Sequence, residues 1–217
     1  MLLQVPNTMN KSEFIVSCNV EEYEIMKAAM NRRFYLYRSI ACVEDEDVSN
    51  EFLSTSDFIV QSILDINKED ENIPSEERAP IIIYINSPGG EITAGFSLVS
   101  AIELSKTPVY TVNVGQWSSM AFLIGITGHK RFSLPNSYFL LHDGSSFAFG
   151  TVNKVQDRME FDRRFDEQII KQHVLSHSKM TEVDYNAVLR VEYYLLPSEA
   201  LEKGFIDEVV TDLNAII

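Results

Sequence analysis

Three stretches of the sequence carry groups that could do chemistry on a carbonyl. The first is an all-apolar run, residues 81–85, which leads into a turn with a glycine pair at 89–90. A turn of this kind exposes backbone N–H groups, which can stabilise an oxyanion. The second is the glycine-led turn at 115–120, which contains two adjacent serines, and the third is His142, which follows the apolar run 138–141. Together these stretches predict a hydrolase.

A serine hydroxyl becomes nucleophilic when a base removes its proton, and the usual base is a histidine held by a carboxylate. Ser119 lies where a predicted strand turns into a predicted helix, so the free N–H of Met120 and the helix start favour negative charge there. His142 ends an apolar strand, at the rim where parallel sheets bind ligands. Taken alone, a serine at this place is more often a helix cap, and such a histidine more often has only structural hydrogen bonds.

The other histidines predict no site. His173 and His177 have the i, i+4 spacing that can hold a metal ion on a helix, but no third ligand is apparent in the sequence. We therefore expect them, like His129, to be ordinary polar surface residues, and we expect no metal site. The glycine pair lacks both the G-x-G-x-x-G pattern and a Walker lysine, so nucleotide binding is not indicated.

Composition narrows the class of protein. With 217 residues and 45% apolar content, the chain can bury the core of one α/β domain. Its 32 acidic and 18 basic residues give a formal charge of -14, which disfavours nucleic acid and anionic membranes as partners. Cys18 and Cys42 have no metal-like spacing, and residues 1–7 lack the pattern of a signal peptide. We therefore expect a cytoplasmic protein.

Hydrophobic periodicity predicts strands that alternate with helices, which is typical of a parallel sheet. Residues 67–80, which are charged and contain two prolines, are predicted to be a solvated loop. A long helix is expected over about 152–176, and Thr181 with Asp184 predicts a capping box. The other predicted elements are helices at 20–30, 52–64, 91–105, 120–126 and 198–204 and strands at 34–40, 81–85, 109–114, 131–134, 138–141 and 205–210.

Four motifs, in this order, resemble those of the Clp peptidase family, the proteolytic subunit of ATP-dependent Clp proteases. They are Ile-Asn-Ser-Pro-Gly-Gly-Glu-Ile-Thr-Ala-Gly-Phe-Ser, Gly-Gln-Trp-Ser-Ser-Met-Ala, Leu-Pro-Asn-Ser-Tyr-Phe-Leu-Leu-His and Pro-Ser-Glu-Ala-Leu-Glu-Lys-Gly-Phe-Ile-Asp. The resemblance implies an α/β fold, a crotonase-like spiral of ββα units with a projecting handle helix. It implies a peptidase domain over residues 33–217, with the handle at about 143–178, after an N-terminal extension of uncertain structure at 1–32.

The resemblance also implies roles for individual residues. The nucleophile falls on Ser119, with Ser118 as its competitor, and the general base falls on His142. The backbone N–H groups of Gly90 and Met120 correspond to the oxyanion hole. Glu192 occupies the position of the family's aspartate, and its extra methylene moves the carboxylate. The implied peptide-binding positions are Gly89, Glu91, Ile92, Asp143 and Gly144, and Trp117 and Ser118 replace the small residues that usually precede the nucleophile.

The activity implied is that of a serine endopeptidase that hydrolyses unfolded polypeptides inside a chamber. The subunits would form a homo-oligomer of two stacked heptameric rings, a tetradecamer, which an AAA+ Clp unfoldase feeds. The reaction would need no cofactor and no metal. One alternative is a catalytically weak or inactive Clp-like subunit of a mixed complex, since Glu192 departs from the family pattern. Another is an acyl-CoA hydratase or isomerase on the same fold, although it would leave Ser119 and His142 without a role.

Overall fold

The computed structural model describes residues 27–41, 55–145 and 147–216. Of the helix predicted at 20–30, the structure describes residues from 27 onward, and 27–31 are helical. Residues 20–26 lie outside the described residues, as do Cys18 and Cys42. Seven strands lie within the described ranges. They are β1 (Arg33–Leu36), β2 (Ile81–Ser87), β3 (Val109–Ser118), β4 (Lys130–Ser133), β5 (Tyr138–Leu141), β6 (Tyr193–Leu195) and β7 (Glu208–Val209).

The helices follow the predicted order. They are α1 (Thr55–Glu69), α2 (Ile92–Leu104), α3 (Met120–Ile126), α4 (Val152–Phe165), α5 (Lys171–Ser176), α6 (Glu182–Val188) and α7 (Pro197–Glu202), with short 3₁₀ turns at Ser75–Glu77 and Leu213–Ala215. The capping box predicted for Thr181 and Asp184 is confirmed at the start of α6. Among the described residues, no helix has both the length and the apolar character needed to cross a bilayer.

The sheet is mostly parallel, which confirms the predicted α/β class. The strand order is β1-β2-β3-β4-β7, with every neighbouring pair parallel. The long strand β3 changes partner along its length: it pairs with β4 over 110–113 and with β5 over 116–118. Asn113 lies at the change, where its side-chain amide donates to the carbonyl of Tyr138 at 2.9 Å. β6 then adds to β5 in antiparallel pairing.

The main core lies between the sheet and helices α1, α2 and α3. Helix α3 is buried at all seven positions, because it crosses the middle of the domain between the sheet and the other helices. Phe122 of this helix packs edge-on against Phe205, with ring centroids 4.8 Å apart. The opposite face of the sheet carries a smaller apolar cluster formed by Ile82, Val112, Phe132, Val210 and Ile216.

The prediction of a solvated loop at 67–80 is wrong for its first part. Helix α1 continues to Glu69, and the Asn67 side chain accepts hydrogen bonds from the backbone N–H groups of Lys106 and Thr107. Asp70 is buried and makes a two-pronged ion pair with Arg32, with both N–O distances 2.7 Å. These polar groups are satisfied by partners almost 40 residues away, so local composition could not identify them.

The long helix predicted at 152–176 is present but is interrupted. Helix α4 has no buried residue, and α5 buries Lys171, His173 and Val174. Between the two, Asp166–Ile170 forms a π-helical turn. A π turn spaces hydrogen bonds five residues apart, and so it rotates the helix face that follows it. One helical rod therefore has two environments: α4 is the exposed arm of the handle, and α5 is its packed base.

Candidate active site

Ser119 occupies a strained turn between β3 and α3. Its backbone has φ 55° and ψ −124°, and among the described non-glycine residues only Arg32 also has a positive φ. Such conformations cost free energy and are found where the surrounding structure holds them in place. Here the N–H of Ser119 donates to the carbonyl of Leu140 at 2.9 Å, which fastens the turn to β5.

The double-glycine turn after β2 lies directly against this serine. A β-carbon on Gly89 would lie 2.7 Å from Cβ of Ser119 and 2.9 Å from the backbone nitrogen of Met120. Gly89 also has φ of 97°, which favours glycine. The structure thus brings together the two turns that the sequence predicts to carry a nucleophile and its backbone donors.

Gly90 is held by a parallel bridge to Ile40. The N–H of Ile40 donates to the carbonyl of Gly89 at 2.8 Å, and the N–H of Glu91 donates to the carbonyl of Ile40 at 2.7 Å. These bonds use the neighbours of Gly90, so its own N–H lies on the opposite edge of the chain. The N–H of Met120 is the first of a helix and has no partner within that helix. Both groups can therefore donate to a bound oxyanion.

His142 and Glu192 form a hydrogen-bonded pair at the ends of β5 and β6. Leu141 lies opposite Tyr193 in this antiparallel pair, and the next step of the register places His142 opposite Glu192. Nδ1 of His142 lies 3.0 Å from Oε1 of Glu192. A proton on Nδ1 leaves Nε2 free to accept one, as a general base requires. The longer glutamate side chain therefore reaches the imidazole.

The hydroxyl of Ser119 makes no hydrogen bond within residues 27–41, 55–145 and 147–216. Its strand is nevertheless the parallel neighbour of β5, with Ser118 in register with Leu140, so Ser119 and His142 follow adjacent strand ends. Ser118 is buried, and its hydroxyl donates to the side chain of Gln116 at 3.2 Å. The geometry therefore favours Ser119 over Ser118 as the reactive serine.

Four of the five predicted peptide-binding positions lie at the surface beside these turns. Glu91, Ile92, Asp143 and Gly144 are exposed, whereas Gly89 is buried beneath the turn. A β-carbon on Gly144 would come within 3.8 Å of Cδ1 of Ile92, so the segments after β2 and after β5 face each other.

A family comparison agrees with this architecture. The Clp protease family model matches residues 48–212, well over half of the chain. The chain belongs to the Clp protease family. The resemblance read from the four motifs is confirmed, and the mostly parallel sheet with its helices fits the fold of this family. Membership makes the protein a Clp-type peptidase, and it implies an oligomeric ring that works with a Clp unfoldase.

Trp117, which departs from the usual Clp protease pattern, is accommodated by a glycine. The indole is fully buried and packs edge-on against Phe139, with centroids 5.4 Å apart. A β-carbon on Gly125 would lie 2.3 Å from the indole ring, so only glycine leaves room for it. Gly95 similarly makes room for the side chain of Met120, where a β-carbon would lie 2.2 Å from Cγ. Sequence reasoning missed both glycines because they act through packing and carry no reactive group.

The interpretation of His173 as a surface residue is wrong. It is 7% exposed, and its Nδ1 lies 3.3 Å from a carboxylate oxygen of Glu103. Nε2 of His177 lies 3.8 Å from the same oxygen. The third side chain that the sequence did not reveal is thus Glu103, 70 residues upstream on α2. His129 instead accepts a hydrogen bond from the backbone N–H of Val109 at 2.8 Å.

Proposed function

We propose that this Clp protease family member is a serine endopeptidase that hydrolyses unfolded polypeptides with Ser119, His142 and Glu192. The observation that carries the proposal is a convergence at one sheet edge. The His142–Glu192 pair lies at the end of β5, and the Ser119 turn, bonded to β5, lies against the double-glycine turn. This is the set of groups that acyl transfer requires: a nucleophile, an oriented base and donors for a developing negative charge.

In the proposed reaction, an extended peptide pairs with the chain near Gly90 and Ile92. Oγ of Ser119 attacks the peptide carbonyl carbon while Nε2 of His142 takes the hydroxyl proton. The N–H groups of Gly90 and Met120 stabilise the oxyanion. The C–N bond then breaks as His142 gives its proton to the leaving amine, and an acyl-enzyme remains. Water then attacks the ester carbon, with His142 again as the base. The bond to Oγ of Ser119 breaks as His142 returns the proton to that oxygen, and the new carboxyl group is released.

Glu192 orients the base in this scheme. Its carboxylate accepts a hydrogen bond from Nδ1–H of His142, which fixes the tautomer and stabilises the imidazolium formed during attack. The hydroxyl of Tyr194 lies 3.5 Å from the other oxygen of Glu192, at the limit of a hydrogen bond. No metal or cofactor takes part in these steps.

The assembly proposed is a homo-oligomer of two stacked heptameric rings in the cytoplasm, with an AAA+ Clp unfoldase as partner. Exposed aromatic residues on the handle support a large interface: Phe147 is 89% exposed and Phe149 is 92% exposed. Such apolar surface is typical of a face that another subunit covers. The charge of -14 supports a partner other than nucleic acid.

A structural subunit with little activity is the second candidate. Two observations favour it: the Glu192 side chain is 58% exposed, and the Ser119 hydroxyl lacks a hydrogen bond within the described residues. Exposure weakens the hold of the carboxylate on the imidazole, because water competes for both groups. Hydrolysis measurements separate the two candidates.

The test uses the assembled protein and an unfolded model polypeptide as substrate. We expect Ser119→Ala to lower the rate of hydrolysis at least about 10³-fold, because the nucleophile is lost. The matched control is Ser118→Ala, which removes the neighbouring hydroxyl and should keep the rate within about threefold of wild type. Equal rates in wild type and Ser119→Ala would refute the proposed mechanism. An inactive wild type would favour the structural subunit.

A further inference from the structure

Three side chains with metal-binding atoms converge where α2 meets the base of the handle. Glu103 lies in the last turn of α2, His173 lies on α5, and His177 directly follows α5. Their inward atoms, a carboxylate oxygen, Nδ1 of His173 and Nε2 of His177, all lie within 4.8 Å of one another. None of the three residues has a part in the proposed peptidase mechanism.

The hydrogen bonds of His173 fix which ring nitrogen carries the proton. Its Nε2 lies 3.0 Å from the carbonyl oxygen of Leu123, which can only accept. Nε2 therefore carries a proton, and in the neutral form of the ring Nδ1 presents a lone pair toward Glu103, 3.3 Å away. A backbone carbonyl that holds the outer N–H is the usual support of a metal-binding histidine.

His177 is oriented in the same way. Its Nδ1 lies 2.9 Å from the carbonyl oxygen of His173, so this nitrogen carries the proton. Nε2 then presents its lone pair toward the same oxygen of Glu103, 3.8 Å away. When both rings are neutral, two imidazole lone pairs and a carboxylate point at one another, an arrangement that repels unless a cation lies between them.

His173 is the most deeply buried of the three ligands, with a side chain that is 5% exposed, so water screens little of this repulsion. Glu103 lies at the negative end of the α2 dipole, and the last turn of α2 has no basic residue. A positive charge bound beside Glu103 is therefore favoured.

We propose that Glu103, His173 and His177 bind one divalent ion of the zinc type, with water as the remaining ligand. Two histidines and one carboxylate are an established ligand set for zinc, and tetrahedral geometry places its ligand atoms about 3.4 Å apart. Two of the three spacings, 3.3 and 3.8 Å, approach this value, and all three atoms lie within 4.8 Å of one another. Small rotations of the Glu103 and His177 side chains, which are 42% and 24% exposed, close the remaining difference in distance.

The ion would fasten the end of α2 to the base of the handle. His177 also lines an open pocket of about 590 Å³, together with Thr127, Gly128 and Arg131, which gives an ion and its water a path to the site. Because the three ligands come from two separate segments of chain, binding favours the folded state and should raise the thermal unfolding temperature.

The experiment titrates Zn²⁺ into chelator-treated, full-length, assembled protein against a chromophoric zinc chelator. We expect one tight ion per subunit and a rise in Tm on its addition. Glu103→Gln and His177→Gln should each weaken Zn²⁺ binding at least about tenfold. Both side chains are partly exposed, so the variants should fold. Co²⁺ in place of Zn²⁺ should give the visible absorption of a tetrahedral site in wild type and lose it in both variants.

The matched controls are Glu160→Gln, an exposed glutamate on α4, and His129→Gln, the histidine that bonds to β3. Both should bind Zn²⁺ like wild type. The proposal is overturned if wild type takes up no ion, or if Zn²⁺ binds equally to wild type, Glu103→Gln and His177→Gln. The second result would place the ion elsewhere, for example at His142 and Glu192.

Discussion

At the scale of single residues, Ser119, the proposed nucleophile, is held in place by its neighbours. Its strained backbone, with φ of 55°, is held on one side by the bond from its N–H to Leu140 and on the other by contact with Gly89. This backbone conformation keeps Ser119 out of both β3 and α3, and its hydroxyl makes no hydrogen bond that caps the helix. The same turn leaves the N–H of Met120 free for an oxyanion.

A prediction at this scale concerns Glu192. The variant Glu192→Gln keeps the size of the side chain but removes its charge, so it no longer stabilises the imidazolium and can hold the wrong tautomer of His142. We expect kcat for peptide hydrolysis to fall about 10²- to 10⁴-fold with little change in KM, measured on the assembled protein. Glu199→Gln, on α7, is the control for a glutamate outside the site. If Glu192→Gln kept the wild-type kcat, Glu192 would have no part in catalysis.

The residue scale also shows what a sequence can and cannot reveal. Ser119, His142 and the glycine pair stand out because reactive types follow apolar strands, and Glu192 was found by resemblance. Glu103 could not be found, since it lies 70 residues from its histidine partners and a lone glutamate in a helix has no distinctive pattern. The need for glycine at position 125 could not be predicted either, because it follows from the volume of the Trp117 indole packed against it.

At the scale of elements, the change of partner along β3 brings the parts of the candidate site together. Its first half pairs with β4 and its last residues with β5, and this opens the sheet so that the ends of β2, β3 and β5 meet. Alternating strands and helices predicted the parallel sheet. The partner change depends on long-range pairing, such as the bond from Asn113 to Tyr138, which local periodicity does not report.

A second prediction concerns the junction between β1 and α1. Hydrogen bonds from Arg32 lower the pKa of Asp70, which Thr107 also contacts at 2.9 Å. A lowered folded-state pKa means that this carboxylate stabilises the fold above its unfolded pKa of about 3.9, and that this stabilisation is lost as pH falls through the folded value. Asp70→Asn leaves the Arg32 charge unpaired, so we expect it to lower the free energy of unfolding at pH 7 by about 3 kcal/mol.

Urea unfolding at pH 7 and pH 3 checks this expectation. The difference between wild type and Asp70→Asn should be large at pH 7 and smaller at pH 3, where the wild-type carboxylate begins to lose its charge. Asp65→Asn, at an exposed position on α1, is the control and should change stability by less than about 0.5 kcal/mol. A difference between wild type and Asp70→Asn that stayed the same at both pH values would contradict the assigned ion pair.

At the scale of the whole molecule, the handle is the part that a single subunit leaves uncovered. Helix α4 buries no residue, and exposed apolar side chains run along this region: Phe147, Phe149, Val152, Met159 and Phe161. The sequence predicted the helix, but its π turn at Asp166–Ile170 was not foreseen, since periodicity barely changes across one wide turn. The turn separates this exposed arm from the packed helix α5.

A third prediction tests whether another subunit covers the handle. The double variant Phe147→Ser, Phe149→Ser removes two large apolar side chains from the proposed ring contact, so we expect stacked rings to separate into single rings. Native mass spectrometry should show the mass fall to about half. Leu213→Ser, an exposed apolar residue near the carboxyl end, is the control and should leave the assembly intact. An unchanged mass in the double variant would place the interface elsewhere.

The most direct test of the account is covalent labelling of the assembled protein by a fluorophosphonate, which reacts with activated serines. Mass spectrometry of the digested product should find the adduct on Ser119, in both wild type and Ser118→Ala, and no adduct in Ser119→Ala. An assembled wild-type protein that takes up no label, or that carries it on Ser118, would contradict the claim that Ser119 is the activated nucleophile.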